Sequence, residues 1–172
     1  MTALGKWVIP PPRKTLVVGV AEMVVSNDPS AELVTYSLGS CLGVTVYDPA
    51  QKIGGLLHAM LPDSSIDPAK AANTPFMFVD SGLPRLFQAA YNLGADRRRL
   101  VIKVAGGAQM LDPQGVFNIG ERNYRTLSGM LARNGYAIHG RDVGGLSSRT
   151  LRLDLTTGKI TIKTPGANAY FL

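Results

Sequence analysis

A chain of 172 residues, 45% hydrophobic and 17% charged, is the size of one domain and apolar enough to bury a core. Its net charge of +6 would suit an acidic partner, but the 18 basic residues are scattered and no basic motif with interleaved aromatics accompanies them, so nucleic-acid binding is set aside. The single cysteine, Cys41, excludes an internal disulfide and fits a reducing compartment.

Residues 1–14 hold Pro10, Pro11 and Pro12 and read as an N-terminal arm, with Trp7 free to pack it onto the body. No apolar segment of signal-peptide length opens the chain, and the longest near-apolar run, Leu16 to Val25, is broken by Glu22. A cytoplasmic protein without direct membrane insertion is expected. Thr15 to Val20 is β-branched and predicts a strand, Ser26 to Ser30 a turn, and Leu33 to Leu38 a second strand. Cys41 to Tyr47 and Ile53 to Leu61 follow as strands around the Asp48-Pro49 turn.

Pro62 to Pro75 reads as a polar loop. A helix is expected over Gly82 to Asn92, capped by Ser81 and stopped by Gly94. Leu100 to Val104 is a strand ending at Gly106-Gly107. A second helix is predicted from Ile119 to Arg133, with Asn118 and Glu121 as a capping box and Tyr124, Leu127 and Leu131 as its inner stripe. Tyr136 to Asp142 is a strand, Gly144-Gly145 a turn, and Thr150 to Leu155 with Ile160 to Lys163 a hairpin; residues 165–172 form a tail. Seven or eight strands and two helices without regular alternation predict one α+β domain over residues 1–172, a layered sandwich of mixed, largely antiparallel sheets.

Chemistry concentrates between Thr35 and His58. A thiolate is a strong nucleophile and a neighbouring imidazole can activate it. Cys41 and His58 lie on strands joined by a turn, at positions that face each other if one strand carries a bulge. The small corner Gly39-Ser40 places the thiol. Thr35, on the preceding strand, has a hydroxyl suited to accepting a hydrogen bond from the second ring nitrogen. On spacing alone a buried cysteine, a core histidine and a good strand former explain these residues better. His139 has no local partner and reads as structural or surface. A zinc site from Cys41, His58 and His139 lacks the close ligand pairs such sites show and is set aside. Gly106-Gly107 and Gly144-Gly145 open no helix with a Lys-Ser/Thr and read as tight turns, not phosphate loops.

The run L-V-T-Y-S-L-G-S-C-L-G-V-T-V-Y-D, followed by G-G-L-L-H-A-M-L-P, resembles the CheD family of chemoreceptor glutamine deamidases. The likeness continues in order through V-D-S-G-L-P-R-L, I-K-V-A-G-G-A-Q-M, F-N-I-G-E-R-N and D-V-G-G, from about Thr15 to Thr164. One departure is Ser148 ahead of Arg149, where the family commonly has Gly. The resemblance implies a sandwich flanked by two main helices, similar to the catalytic domain of cytotoxic necrotizing factor toxins. It implies a catalytic trio at Cys41, His58 and Thr35, and hydrolysis of a glutamine side chain on chemoreceptor signalling helices. A thioester intermediate is expected, with Gly39 and Ser40 near the oxyanion and neither metal nor organic cofactor. Glutamate methylesterase activity would be secondary, and a CheC-type phosphatase is an implied partner. Another cysteine hydrolase, or a non-catalytic chemotaxis adaptor that binds receptor or phosphatase, remains open at this point.

Overall fold

The protein is described from a computed structural model, over residues 12–110, 112 and 114–172. The expected packing of Trp7 and most of the Pro-rich arm lie outside the described residues. Lys14, assigned to that arm, instead begins the first strand, β1 (Lys14–Val17).

The near-apolar run after Lys14 becomes two strands in different sheets. The Glu22 carboxylate accepts the Gly19 amide, and the Glu22 amide donates to the Gly19 carbonyl. That turn ends β1 early and releases β2 (Met23–Ser26), a strand hidden inside the run. β3 (Ala31–Leu38), β4 (Leu42–Asp48) and β5 (Ile53–Ala59) follow nearly as expected.

The predicted loop before residue 75 contains a short helix, α1 (Pro68–Asn73). Asp67 caps it by accepting the Lys70 amide, and Pro68 opens it where a missing N–H costs nothing. α2 (Val79–Asn92) starts earlier than expected, and Ser81 does not cap it. Its hydroxyl donates to the Pro75 carbonyl instead. β6 (Val101–Gly106) leads to α3 (Ile119–Arg133), whose bounds match the sequence reading. The capping box does not form, because Asn118 is left-handed at φ 50° and its side chain caps nothing. Asp112 instead organises the turn ahead of the helix, accepting the amides of Val116, Phe117 and Asn118.

β7 (Gly140–Val143) is shorter than predicted; residues 136–139 approach it irregularly. β8 (Arg149–Asp154) and β9 (Ile160–Lys163) form the expected hairpin. The tail adds β10 (Tyr170–Phe171) to β9, making a sheet edge of residues read as loose.

Among the described residues the strands make two five-stranded mixed sheets. One has the order β1-β3-β8-β9-β10, the other β2-β5-β4-β6-β7; only β1–β3 and β6–β7 are parallel. Alternation along β4 explains the layering. Val44 and Val46 pack with Leu86, Leu127 and Leu131 of α2 and α3. Tyr47, on the opposite face, packs with Leu33, Leu151 and Leu153 of the first sheet. β4 and β5 are covered on both faces, so every one of their residues is buried. The order of layers is sheet, sheet, helices. The chain crosses between sheets from β1 to β2, back from β2 to β3, then from β3 to β4 and from β7 to β8.

Candidate active site

The crossing from β3 to β4 is the Gly39-Ser40-Cys41 corner. Its carbonyls are tied from three directions: Gly39 accepts the Ala108 amide, Ser40 the Asn123 carboxamide, and Cys41 the Gly107 amide. Among the described residues the amides of Gly39, Ser40 and Cys41 have no hydrogen-bond acceptor. Gly106 lies so close to the corner that a Cβ there would stand 2.2 Å from the Cys41 carbonyl oxygen. Its φ of 113° is also one that side chains resist.

The β4–β5 ladder is continuous and carries no bulge. It sets Gly43, not Cys41, opposite His58. The bulge lies in β3, between Thr35 and Leu38, where Ser37 has φ 57°. Cys41 is two residues before Gly43, so it shares the inter-sheet face of His58 as a diagonal neighbour. Its half-buried side chain packs against the inter-sheet cluster. Leu38 fills the space over Gly43, where a Cβ would approach its methyl to 2.8 Å.

His58 is buried, and its backbone is fixed by the Ala21–Glu22 segment, which donates to its carbonyl and accepts its amide. Thr35 reaches it from the facing sheet: Oγ1 is 2.7 Å from His58 Nδ1 and 2.7 Å from the Val18 carbonyl oxygen. The hydroxyl has one proton, and the Val18 carbonyl can only accept it. Oγ1 therefore accepts from Nδ1–H, which leaves the lone pair of the neutral ring on Nε2. Among the described residues Nε2 is buried and without a partner, and no hydrogen bond joins it to Cys41 Sγ. The fold thus brings Thr35 and His58 into contact and sets Cys41 on their face.

Burial favours the neutral form of both groups. It pushes His58 down to about 4, and it pushes the Cys41 thiol up, offset in part by the residue's own amide. Cys41 opens on a cleft of about 600 Å³ with Gly39 and Ser40 on one wall and Gln109, Phe117 and Ser148 on others. Val116, Phe117 and Leu146 nearby in the chain are strongly exposed apolar residues.

The remaining sequence candidates fall elsewhere. His139 Nδ1 accepts the Ile102 amide while its own amide donates to the Ile102 carbonyl, so it extends the β6–β7 pairing. The basic cluster is committed to the fold: Arg99 binds Asp48, Arg98 binds Asp96, and Arg97 lies over the Tyr136 ring. Among the described residues no helix is long and apolar enough to cross a membrane. Asn123, the last residue of the F-N-I-G-E-R-N block, was given no role in the sequence reading, yet its carboxamide is bonded to the Ser40 carbonyl of the corner.

The family model for CheD chemotactic sensory transduction matches residues 60–164. A probable chemoreceptor glutamine deamidase CheD of Solibacter usitatus (strain Ellin6076) is 48% identical over 151 residues, 88% of this chain and 89% of that protein. The chain belongs to the CheD family. A second CheD relative, from Syntrophus aciditrophicus (strain SB), is also 48% identical over 151 residues, 88% of this chain and 94% of its own. A third, from Pyrococcus abyssi (strain GE5 / Orsay), is 39% identical over 148 residues, 85% of this chain and 89% of its own. The CheD family model begins past His58, but a span of 151 residues within 172 necessarily contains Thr35, Cys41 and His58.

Proposed function

We propose that this chain is a chemoreceptor glutamine deamidase, a protein-glutamine amidohydrolase with Cys41 as nucleophile. The observation that carries the reading is the hydrogen-bonded chain from Val18 through Thr35 to His58. It leaves a basic nitrogen on the same sheet face as the only thiol. His58 Nε2 takes the Cys41 proton as the sulfur attacks the glutamine side-chain carbonyl. The amides of Gly39, Ser40 and Cys41 receive the oxyanion. Protonated His58 returns the proton to the departing ammonia, leaving a thioester on Cys41. Water, deprotonated by His58, attacks the thioester carbonyl, and the thiol leaves with its proton as glutamate forms. Thr35 holds the ring tautomer throughout.

The neutral resting pair agrees with this order of events, because the proton moves only when an oxyanion is there to be stabilised. A glutamate methyl ester would pass through the same acyl-enzyme, so methylesterase activity is the expected side reaction. The substrates are the cytoplasmic signalling helices of a chemoreceptor, and the exposed apolar residues Phe117 and Leu146 suit an amphipathic helix. A CheC-type phosphatase is the expected second partner. Residues 1–172 act as a single cytoplasmic domain, of the sandwich type found in cytotoxic necrotizing factor toxins.

The test is mass spectrometry of a receptor fragment treated with the parent and with Cys41→Ala. Conversion of specific glutamines to glutamate by the parent alone supports the reading. Equal conversion by Cys41→Ala removes Cys41 as nucleophile, and backbone cleavage or amine incorporation replaces deamidation with another cysteine chemistry. No modification by either protein leaves the adaptor reading.

A further inference from the structure

Among the described residues only two buried side-chain polar atoms lack a hydrogen-bond partner: His58 Nε2 and Asn123 Oδ1. The first belongs to the mechanism above. The second belongs to a residue with no role in it, although Asn123 is fully buried on the inner face of α3.

Its carboxamide nitrogen donates to two carbonyls, Ser40 at 3.0 Å and Met60 at 2.9 Å. Ser40 directly precedes the thiol, and Met60 lies two residues after the base. Both partners only accept, so the amide orientation is fixed: turned over, its oxygen would face two carbonyl oxygens. The side chain therefore joins the two chain segments on which Cys41 and His58 ride. Its own oxygen is left without a donor, and buried acceptors are ordinarily satisfied. A side chain present only to stabilise the helix would more cheaply be apolar. The same helix also seats the corner through Gly120, packed against the Gly107 carbonyl, while the Gly107 amide binds Cys41.

We propose that Asn123 is a positioning residue for the deamidation, a clamp that sets the separation of Cys41 from His58 by holding the backbones of Ser40 and Met60 at once. This rests on the reading of Cys41 as nucleophile and His58 as base. The clamp acts on proton transfer between them and leaves substrate docking alone. Its loss lowers kcat and the basicity-driven reactivity of the thiol, with KM unchanged.

The test compares Asn123→Ala and Asn123→Asp with Leu131→Ala, which opens the core under the same helix away from the site. Asn123→Asp keeps the volume and replaces the donor by acceptors, so it serves if the alanine variant does not fold. Two readouts are taken: turnover of a receptor fragment, and the pH profile of Cys41 alkylation by iodoacetamide. The second needs no substrate and reports one site, because the chain has a single cysteine.

Both Asn123 variants should lose at least roughly tenfold in kcat with KM within about twofold, and their alkylation profiles should shift from the parent's. Leu131→Ala should melt earlier while keeping the parent's kcat and profile. Parental kcat and profile in a folded Asn123 variant overturn the clamp. So does an equal loss in Leu131→Ala, which would make the effect one of general stability. Failure of the underlying reading has a different signature: Cys41→Ala would then deamidate as well as the parent.

Discussion

In the proposed mechanism Thr35 does for the imidazole what a carboxylate does in many nucleophile–base pairs, but without charge. Its hydroxyl is spoken for by the Val18 carbonyl, so it has only a lone pair to offer Nδ1. Thr35→Ser keeps that hydroxyl and should retain most of the turnover. Thr35→Val keeps the shape, removes the hydroxyl and frees the ring to change tautomer. Loss of a buried hydrogen bond costs about 1–3 kcal/mol, so kcat on a receptor fragment should fall roughly tenfold to a hundredfold, less than in Cys41→Ala. An unchanged rate in Thr35→Val would mean that another group orients the ring. At this scale the sequence was informative where chemistry is local. Thr35, Cys41 and His58 were singled out from type, order and family likeness, and the structure puts Thr35 against His58 with Cys41 on the same face. Asn123 closes the family-like block F-N-I-G-E-R-N but was given no role there, because its partners lie 83 and 63 residues away and nothing in a helix pattern shows which backbones a buried Asn will hold.

Among the elements, α3 carries a tight constraint that separates its glycines. A Cβ on Gly120 would stand 2.3 Å from the Gly107 carbonyl oxygen, with no flexible side chain to yield. One on Gly129 would meet only the tip of Arg133, at 3.2 Å. Alanine is favoured over glycine inside a helix by about 1 kcal/mol. Gly129→Ala should therefore raise the melting temperature or leave it level. Gly120→Ala should lower it and, by pushing β6 against the corner, lower turnover as well. A thermal melt with an activity assay on both variants decides this; a stabilised, fully active Gly120→Ala would contradict the close approach. Element limits were legible where periodicity ran unbroken, as in α3. They were missed where one hydrogen bond redirects the chain, as at Glu22, which divides a single apolar run between two sheets. Asp67 likewise starts a helix within a stretch that composition marks as loop.

For the whole molecule, two buried groups make stability depend on pH in the same sense. The His58 ring titrates at about 4 in the fold against 6.5 when exposed, so between those values the unfolded chain holds a proton that the folded one lacks. Stability from the neutral ring is complete above pH 6.5 and falls by about 3 kcal/mol as the pH drops to 4. Burial alone would raise the Asp48 carboxyl, but the Arg99 guanidinium and the amides of Asp96, Gln51 and Ala50 outweigh it and hold it at about 2 against 3.8. Its contribution is complete above pH 3.8 and is lost as the pH falls through 2. Urea midpoints between pH 7 and pH 3 should show the upper decline in the parent and its absence in His58→Asn. A parent flat from pH 6.5 to 4 would refute a buried neutral ring. The two-sheet architecture was legible as a class, because strand count and irregular alternation point to it. Which strand enters which sheet was not, since β3 pairs with β8 more than a hundred residues later and no local pattern encodes that choice.

The neutral state of the Cys41–His58 pair has a consequence beyond the reaction. Oxidants attack thiolates, and a cysteine that keeps its proton until a substrate is bound presents little thiolate to peroxide. The burial that lowers the ring and raises the thiol therefore also shields Cys41 from oxidative damage. With no second cysteine in the chain to form an internal disulfide, a sulfenic acid at Cys41 would have no resolving partner within the same molecule. Favouring the protonated thiol is thus the protection that the fold itself supplies.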